Sequence, residues 1–246
     1  MQAIILAAGF GKRLRPLTET LPKALVPVKG TPLLIHALDC LARAKVITQV
    51  ILVVGHRAED IRSVVGNEYK GMEVLYVENP QYETTNNVYS LALARPLLKD
   101  ACLLLECDIY YTDDLIQALL TGQGECRILV SPFNRATMNG SVVFAKEDGR
   151  CKALVLKRDQ GEDFDDSSAL KTVNAYLFQK EFLLDVLMPN LDTYVKTQGV
   201  NSYYELVIGG LIYYGNNDIR ALTIPASRWY EVDDLHDLAL AEQAPF

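Results

Sequence analysis

The first half of the chain alternates two hydrophobic patterns. Short continuous apolar runs, Ala3–Ala7, Val50–Val54, Val74–Val77 and Ala101–Leu105, read as strands buried on both faces. Between them, apolar residues recur at helical spacing over Leu33–Ala44 and Ala58–Val65, with a shorter helix over Asn87–Ala94. Thr31 is the expected N-cap of the first of these helices, with Pro32 at its first position. Strand and helix in turn imply βαβ units and a parallel sheet with helices on both faces. Ligands of such sheets bind beyond the carboxyl ends of the strands, where Gly9, Asn86-Asn87 and Asp108 fall.

The second half is less regular. Arg127–Val130 and Ser141–Ala145 read as strands around a turn containing Asn139-Gly140, and Ala153–Leu156 as another strand. Gly161–Ser168 is acidic and polar, the pattern of an exposed loop. Thr172–Phe178 reads as a strand and Lys180–Leu191 as a helix interrupted by Pro189. Tyr203–Tyr214 reads as a mostly apolar helix, Ile219–Ile224 as a late strand and Asp234–Ala241 as a closing amphipathic helix. No internal repeat, low-complexity tract or linker interrupts the pattern, so one domain over residues 1–246 is expected.

Charge sharpens this picture. The chain has 246 residues, is 50% hydrophobic and carries a net charge of -7, which argues against a general nucleic-acid binder. Against that acidic background Lys12, Arg13, Arg15 and Lys23 cluster after the first strand, as a local anion site would require. No apolar run is long enough to span a bilayer, and Met1-Gln2-Ala3 lacks the basic start of a signal peptide. The five cysteines form no C-x-x-C pair, so a reduced cytoplasmic protein with buried thiols is expected.

The segment after the first strand carries the chemistry. Gly9-Phe10-Gly11-Lys12-Arg13 lets backbone N–H groups approach an anion closely. It is not a dinucleotide fingerprint, because Leu14 stands where the third glycine belongs and Arg15-Pro16 interrupts a following helix. It is not a Walker A loop, which needs Gly-Lys-Ser/Thr. The pattern G-x-G-x-R-x-x-P-x-T followed by P-K, at Gly9, Gly11, Arg13, Pro16, Thr18, Pro22 and Lys23, resembles the signature of the nucleotidyltransferases that make activated sugars, choline and related compounds. The resemblance covers most of the chain and weakens between Glu147 and Asp166. It implies a Rossmann-like (GT-A type) α/β fold with a mixed, mainly parallel sheet, helices on both faces and a small substrate-binding lobe. The nucleotide would lie on residues 1–130 and the acceptor on residues 131–246.

Within that resemblance, Arg13 would grip a triphosphate with its planar fork, and Lys23 would contact the α-phosphate or the attacking phosphate. Asp108, beyond the run Leu103–Leu105, and Asp233 would share one Mg2+ bridged to the α-phosphate. Asp233 also suits a helix N-cap, a part that Asp234 could play instead, and Glu106 is an alternate ligand. Ala7, Ala8, Gly9, Gly11 and Lys12 complete the expected nucleotide contacts. No general base is needed for an acceptor oxygen that is already anionic, and His36, His56 and His236 have no obvious catalytic setting.

The segment Thr84-Thr85-Asn86-Asn87-Val88-Tyr89-Ser90 departs from the Gln-x-x-Pro-x-Gly-x-Ala pattern of sugar-1-phosphate enzymes. It resembles the branch of LicC-like phosphocholine cytidylyltransferases and their relatives acting on 2-aminoethylphosphonate or phosphorylated amino acids. CTP is therefore the expected donor, with Asn86, Asn87 and Ser90 near the base, although Asn86-Asn87 also suits turn and cap chemistry. The expected acceptor is a small phosphorylated or phosphonate compound. Tyr204, Glu205, Trp229 and Glu231 offer aromatic faces and carboxylates to an amine, and Lys157 and Asn174 would touch the acidic group, with Arg135 a further choice. The alternatives are a sugar-1-phosphate nucleotidyltransferase using UTP or dTTP, and an inactive regulatory subunit, which should have lost Arg13, Lys23 or an aspartate. No membrane partner is expected, and a homodimer stays open.

Overall fold

The computed structural model describes residues 1–215 and 217–246. Strand β1 (Gln2–Ala7) is buried along its length and lies between two parallel neighbours, β2 (Gln49–Val54) and β4 (Cys102–Glu106). β3 (Met72–Glu78) extends the parallel part beyond β2. Alternation along β1 assigns its side chains to two cores. Ala3, Ile5 and Ala7 pack on the side of helix α1 (Leu33–Ala44), with Leu34, Leu38 and Leu41. Ile4 and Leu6 face the opposite side, with Val88 and Leu91 of α3 (Asn87–Leu93). Helix α2 (Ala58–Val65) follows β2, completing the crossover to β3.

Among the described residues the sheet has ten strands and mixed direction. The antiparallel part is built around one long strand. β6 (Cys126–Pro132), β7 (Val142–Ala145) and β9 (Leu170–Phe178) carry the chain across it, with β8 (Cys151–Val155) at the edge beside β7. β9 pairs antiparallel with β4, β6 and β7. β6 and β7 are therefore not a hairpin around Asn139-Gly140, because β9 lies between them. β10 (Ile219–Thr223) lies parallel to β6.

A separate ladder decides the site. β5 (Ile109–Tyr111) pairs antiparallel with β11 (Trp229–Glu231), Ile109 opposite Glu231, and the Val232 N–H donates to the Asp108 carbonyl at 2.8 Å. A third apolar cluster, including Leu14, Val26, Leu33, Val232 and Ala241, fastens the segment after β1 to the segment after β11.

Several boundaries differ from the pattern reading. Pro32, not Thr31, occupies the N-cap position of α1, and no side chain caps it. Helix α4 (Asp114–Thr121) has no counterpart in that reading. Pro189 does interrupt the α-helical pattern: residues 180–198 are helical throughout, but the turns over Phe182–Leu187 widen to π-helix just ahead of the proline, before α5 (Met188–Gln198). Helix α6 (Glu205–Tyr214) begins two residues later than Tyr203. The closing helix α7 (Leu235–Glu242) has Asp234 as N-cap. Among the described residues all five cysteines are free, and no helix is long and apolar enough to cross a membrane.

Candidate active site

The carboxyl ends of β1 and β4 open into a cleft of about 600 Å3. Gly11, beyond β1, adopts a φ of +64°, and a Cβ there would come within 2.8 Å of the Lys23 Cβ. A residue with a side chain at position 11 would thus be strained in backbone and would displace Lys23. The Thr18 hydroxyl donates to the Gly11 carbonyl at 2.8 Å and closes the loop. Pro22 sets up the single 3-10 turn Lys23–Leu25, whose Ala24 and Leu25 are buried, so the lysine projects from an anchored base.

Lys23 Nζ donates to Asp108 Oδ2 at 2.6 Å and to Asp233 Oδ1 at 2.8 Å, while Arg13 Nη2 lies 2.8 Å from Asp233 Oδ2. Four residues from three distant parts of the chain form one neutral cluster. Burial alone would favour the uncharged amine of Lys23, but Asp108 and Asp233 outweigh it and raise its pKa well above the ordinary lysine value. Burial likewise opposes the charge on Asp233, but Lys23 and Arg13 prevail and hold its pKa below the usual carboxylate range. Asp233 is free for this role because its neighbour does the capping. Asp234 accepts from the N–H groups of His236 and Asp237, and the Asp237 carboxylate accepts from the N–H groups of Asp233 and Asp234.

The donor set suits a hard divalent cation. Asp108 Oδ1 is buried with no hydrogen-bond partner among the described residues, an acceptor with capacity to spare. Among the described residues no group of three or more acidic, histidine or cysteine side chains is placed to hold a metal ion, so the two aspartates would need oxygens from phosphate or water to complete a shell.

The expected nucleotide-side residues divide by contact. Gly9 and Ala8 line the cleft, but the Ala8 carbonyl accepts from the His56 N–H at 3.2 Å, and Ala7 lies in the ladder opposite Val54. Lys12 is exposed, 5.5 Å from the centre of the Phe10 ring, and lines a smaller recess beside the cleft. Asn86 caps α3 through its own side chain, and Ser90 Oγ accepts from Asn79 Nδ2 at 3.1 Å. Asn87 is a staple between two elements: Nδ2 donates to Glu106 Oε1 at 3.2 Å, and Oδ1 accepts the Tyr204 N–H at 3.0 Å. Asn79, Tyr82 and Thr85 line the same wall and were not singled out from sequence.

The opposite wall is made by β9 and α6. A bulge between Thr172 and Tyr176 puts Asn174 at a φ of +55°, and its amide reaches Glu231 Oε1 at 3.0 Å. Lys171, 1% exposed, pairs with Glu231 at 3.2 Å and also donates to the Thr172 carbonyl. Burial pushes the carboxyls of Glu106 and Glu231 up, Glu106 with added repulsion from Asp108 and Glu205, Glu231 against the pull of Lys171. Burial pushes Glu205 up to about 7, although its backbone N–H and Lys171 both act the other way. Lys157 is exposed at the rim with Arg158. Tyr204 and Trp229 do not line the cleft. Tyr204 is fully buried edge-on to Tyr176, and Trp229 lies beneath Lys171. Arg135 is occupied by Asp166 and the Phe164 carbonyl. Lys171 and Glu106 were undervalued in the sequence because a charge inside an apolar strand carries no periodic signal.

A triphosphate would find at this site a glycine loop, two cations and two carboxylates that could hold a metal. The profile of the MobA-like NTP transferase domain matches residues 3–174. The CMP-5'-(3-aminopropyl)phosphonate synthase of Streptomyces rubellomurinus is 37% identical over 98% of this chain and 38% of its own length. The CTP:phosphoglutamine cytidylyltransferase of Campylobacter jejuni is 27% identical over 97% of this chain and 98% of that one. The solved CTP:phosphocholine cytidylyltransferase of Streptococcus pneumoniae (LicC) superposes with a TM-score of 0.76 over 98% of this chain and 97% of that one, at 24% identity. The chain thus spans less than two fifths of the length of the Streptomyces relative.

Proposed function

This chain belongs to the MobA-like NTP transferase family, and we propose that it transfers CMP from CTP to a small phosphonate or phosphorylated acceptor, releasing pyrophosphate. The observation that carries the reading is the convergence of Arg13, Lys23, Asp108 and Asp233 at the carboxyl ends of β1 and β4. Three of the similar proteins have names that join CMP or CTP to a phosphonate or phosphorylated compound, and these support the donor and the acceptor class; mannose-1-phosphate guanyltransferases match as well, over 64% of the chain.

The reaction is an in-line displacement. An anionic acceptor oxygen forms the new bond to the α-phosphorus, the bond to the bridging oxygen of pyrophosphate breaks, and its electron pair leaves with pyrophosphate. No proton moves, so no general base is required. Arg13, largely exposed beside the cleft, clamps the triphosphate and neutralises the leaving group. Lys23 holds its proton firmly and offers it as a fixed charge to the α-phosphate. Asp108 and Asp233 would hold Mg2+, which supplies charge neutralisation and orientation at the α-phosphate. The wall of Ala8, Asn79, Tyr82 and Thr85 receives the nucleoside, with Asn86 at the entrance to α3, and the wall of Lys157, Asn174, Glu205 and Glu231 receives the acceptor. The free thiols and the absence of a spanning helix among the described residues support a cytoplasmic setting.

Pyrophosphate release, measured for CTP, UTP, dTTP, GTP and ATP against aminoalkylphosphonates, phosphocholine, phosphoamino acids and sugar-1-phosphates, tests the reading. CTP with a phosphonate or phosphorylated amine should dominate. Preference for a sugar-1-phosphate with UTP or dTTP would sink it.

A further inference from the structure

The acceptor wall sets three carboxyls beside one buried lysine, Lys171, while its other cations, Lys157 and Arg158, are exposed at the rim. Glu106, Glu205 and Glu231 all line the cleft. Of these, Glu231 is matched by Lys171. Glu106 accepts from the neutral amide of Asn87 on Oε1, and no cationic side chain pairs with it among the described residues. Glu205 is 6% exposed, and its Oε2 has no hydrogen-bond partner among the described residues. A carboxylate oxygen buried at a cleft wall without a donor is expensive, and a ligand that brings the donor removes that cost.

The aromatic supply is poor by comparison. Tyr82 and Tyr203 are the aromatic side chains that line the cleft among the described residues. Tyr82 belongs to the other wall, near Phe10 and His56. Trp229 already lies under Lys171, and the Tyr204 ring meets Tyr176 edge-on. Only Tyr203 is left on the acceptor side, whereas quaternary ammonium groups are held by several aromatic faces together.

We propose that Glu205, with Glu106 beside it, seats a primary ammonium on the acceptor and selects it over a quaternary one. The proposal rests on the CMP-transfer reading and narrows its acceptor. A primary ammonium brings N–H donors to Glu205 Oε2; a trimethylammonium brings methyl groups and leaves that oxygen unpaired. Glu106 ends β4 and Asp108 follows in the turn to β5, so both carboxyls line the same end of the cleft, and a phosphonate attacking there can reach the glutamates with an ammonium on a short carbon arm. The raised proton affinity of Glu205, which burial pushes up to about 7, is consistent with this.

The test is kcat/KM at saturating CTP for 2-aminoethylphosphonate, 3-aminopropylphosphonate, the N,N,N-trimethyl form of each, and propylphosphonate. The primary amines should exceed the trimethyl and amine-free acceptors by about tenfold to a hundredfold, the effect of one buried acceptor left without a donor. In Glu205→Gln that ratio should fall at least about tenfold, through KM for the amines, and Glu205→Asp should recover part of it. If the variants fail to fold, the wild-type ratio decides alone. Equal or better use of the trimethyl or amine-free acceptors overturns the proposal, as does a Glu205→Gln loss that is the same for every acceptor. Should CTP turn over with none of them, the CMP-transfer reading fails separately. Calorimetric binding of 3-aminopropylphosphonate against propylphosphonate to the wild-type chain then decides the ammonium seat, with equal affinity refuting it.

Discussion

Glu205 should make the empty enzyme less stable as pH rises, and Glu205→Gln should abolish that effect. The carboxyl is pushed from its ordinary value of 4.5 to about 7, chiefly by burial at the start of α6. The folded chain therefore holds a proton that the unfolded chain has released between pH 4.5 and 7, and the sign is fixed. The raised value favours the folded state fully below about pH 4.5, relative to higher pH, and that advantage is lost as pH climbs through 7. At about 1.4 kcal/mol per pH unit, the whole effect is about 3 kcal/mol, of which about 2.5 falls between pH 5 and pH 8. Glutamine keeps the shape and cannot ionise. Urea unfolding of wild type and Glu205→Gln at both pH values reads the change, because every other residue of the site is common to both proteins. Glu205→Gln should gain stability on wild type at pH 8 by about 2.5 kcal/mol more than at pH 5. A stability difference that does not change with pH would refute the burial of an ionisable carboxylate here.

Other perturbations probe the remaining parts of the site. Lys23→Met leaves Asp108 and Asp233 facing one another without their shared cation, so it should cost about 3–5 kcal/mol in urea unfolding and abolish pyrophosphate release. Added Mg2+ should return part of that stability, and a variant indifferent to the cation would refute the pairing of the two aspartates. Gly11→Ala strains a backbone at φ +64° and drives its methyl against Lys23, so kcat should fall at least about tenfold with about 1–2 kcal/mol of stability lost. Asp234→Ala removes the cap of α7 and should lower stability by about 1 kcal/mol in thermal unfolding.

Much of the architecture was legible because hydrophobic periodicity is a local property. The runs at β1, β2 and β4 are apolar on both faces because helices cover both, and α1 and α2 carry their stripes at 3.6-residue spacing. The glycine loop was legible too, since Gly11 answers a steric requirement that Arg13 and Lys23 share in a few residues of chain. The capping reading of Asn86-Asn87 was half the story. Asn86 does cap α3, but Asn87 ties Glu106 to the start of α6, a contact across 117 residues. Lys171 escaped notice because it is one charged residue in an apolar strand, and Glu106 was read only as an alternate metal ligand; only their partners distinguish them from solvated side chains.

What the sequence determined by itself is the set of local elements and the chemistry of the loop after β1. Strand and helix follow from side-chain spacing, and the loop's form from two glycines and a proline before Lys23. Tertiary structure decided which carboxylates meet. Asp108 and Asp233 lie 125 residues apart and come together because β5 pairs with β11 and because Leu14, Val26 and Val232 share one apolar cluster. It also decided that Asn174 would sit at a bulge and that Glu205 Oε2 would be buried with no hydrogen-bond partner among the described residues. Pairing between distant strands depends on the packing of the whole chain, and so does the desolvation that turns a glutamate into a seat for a cation.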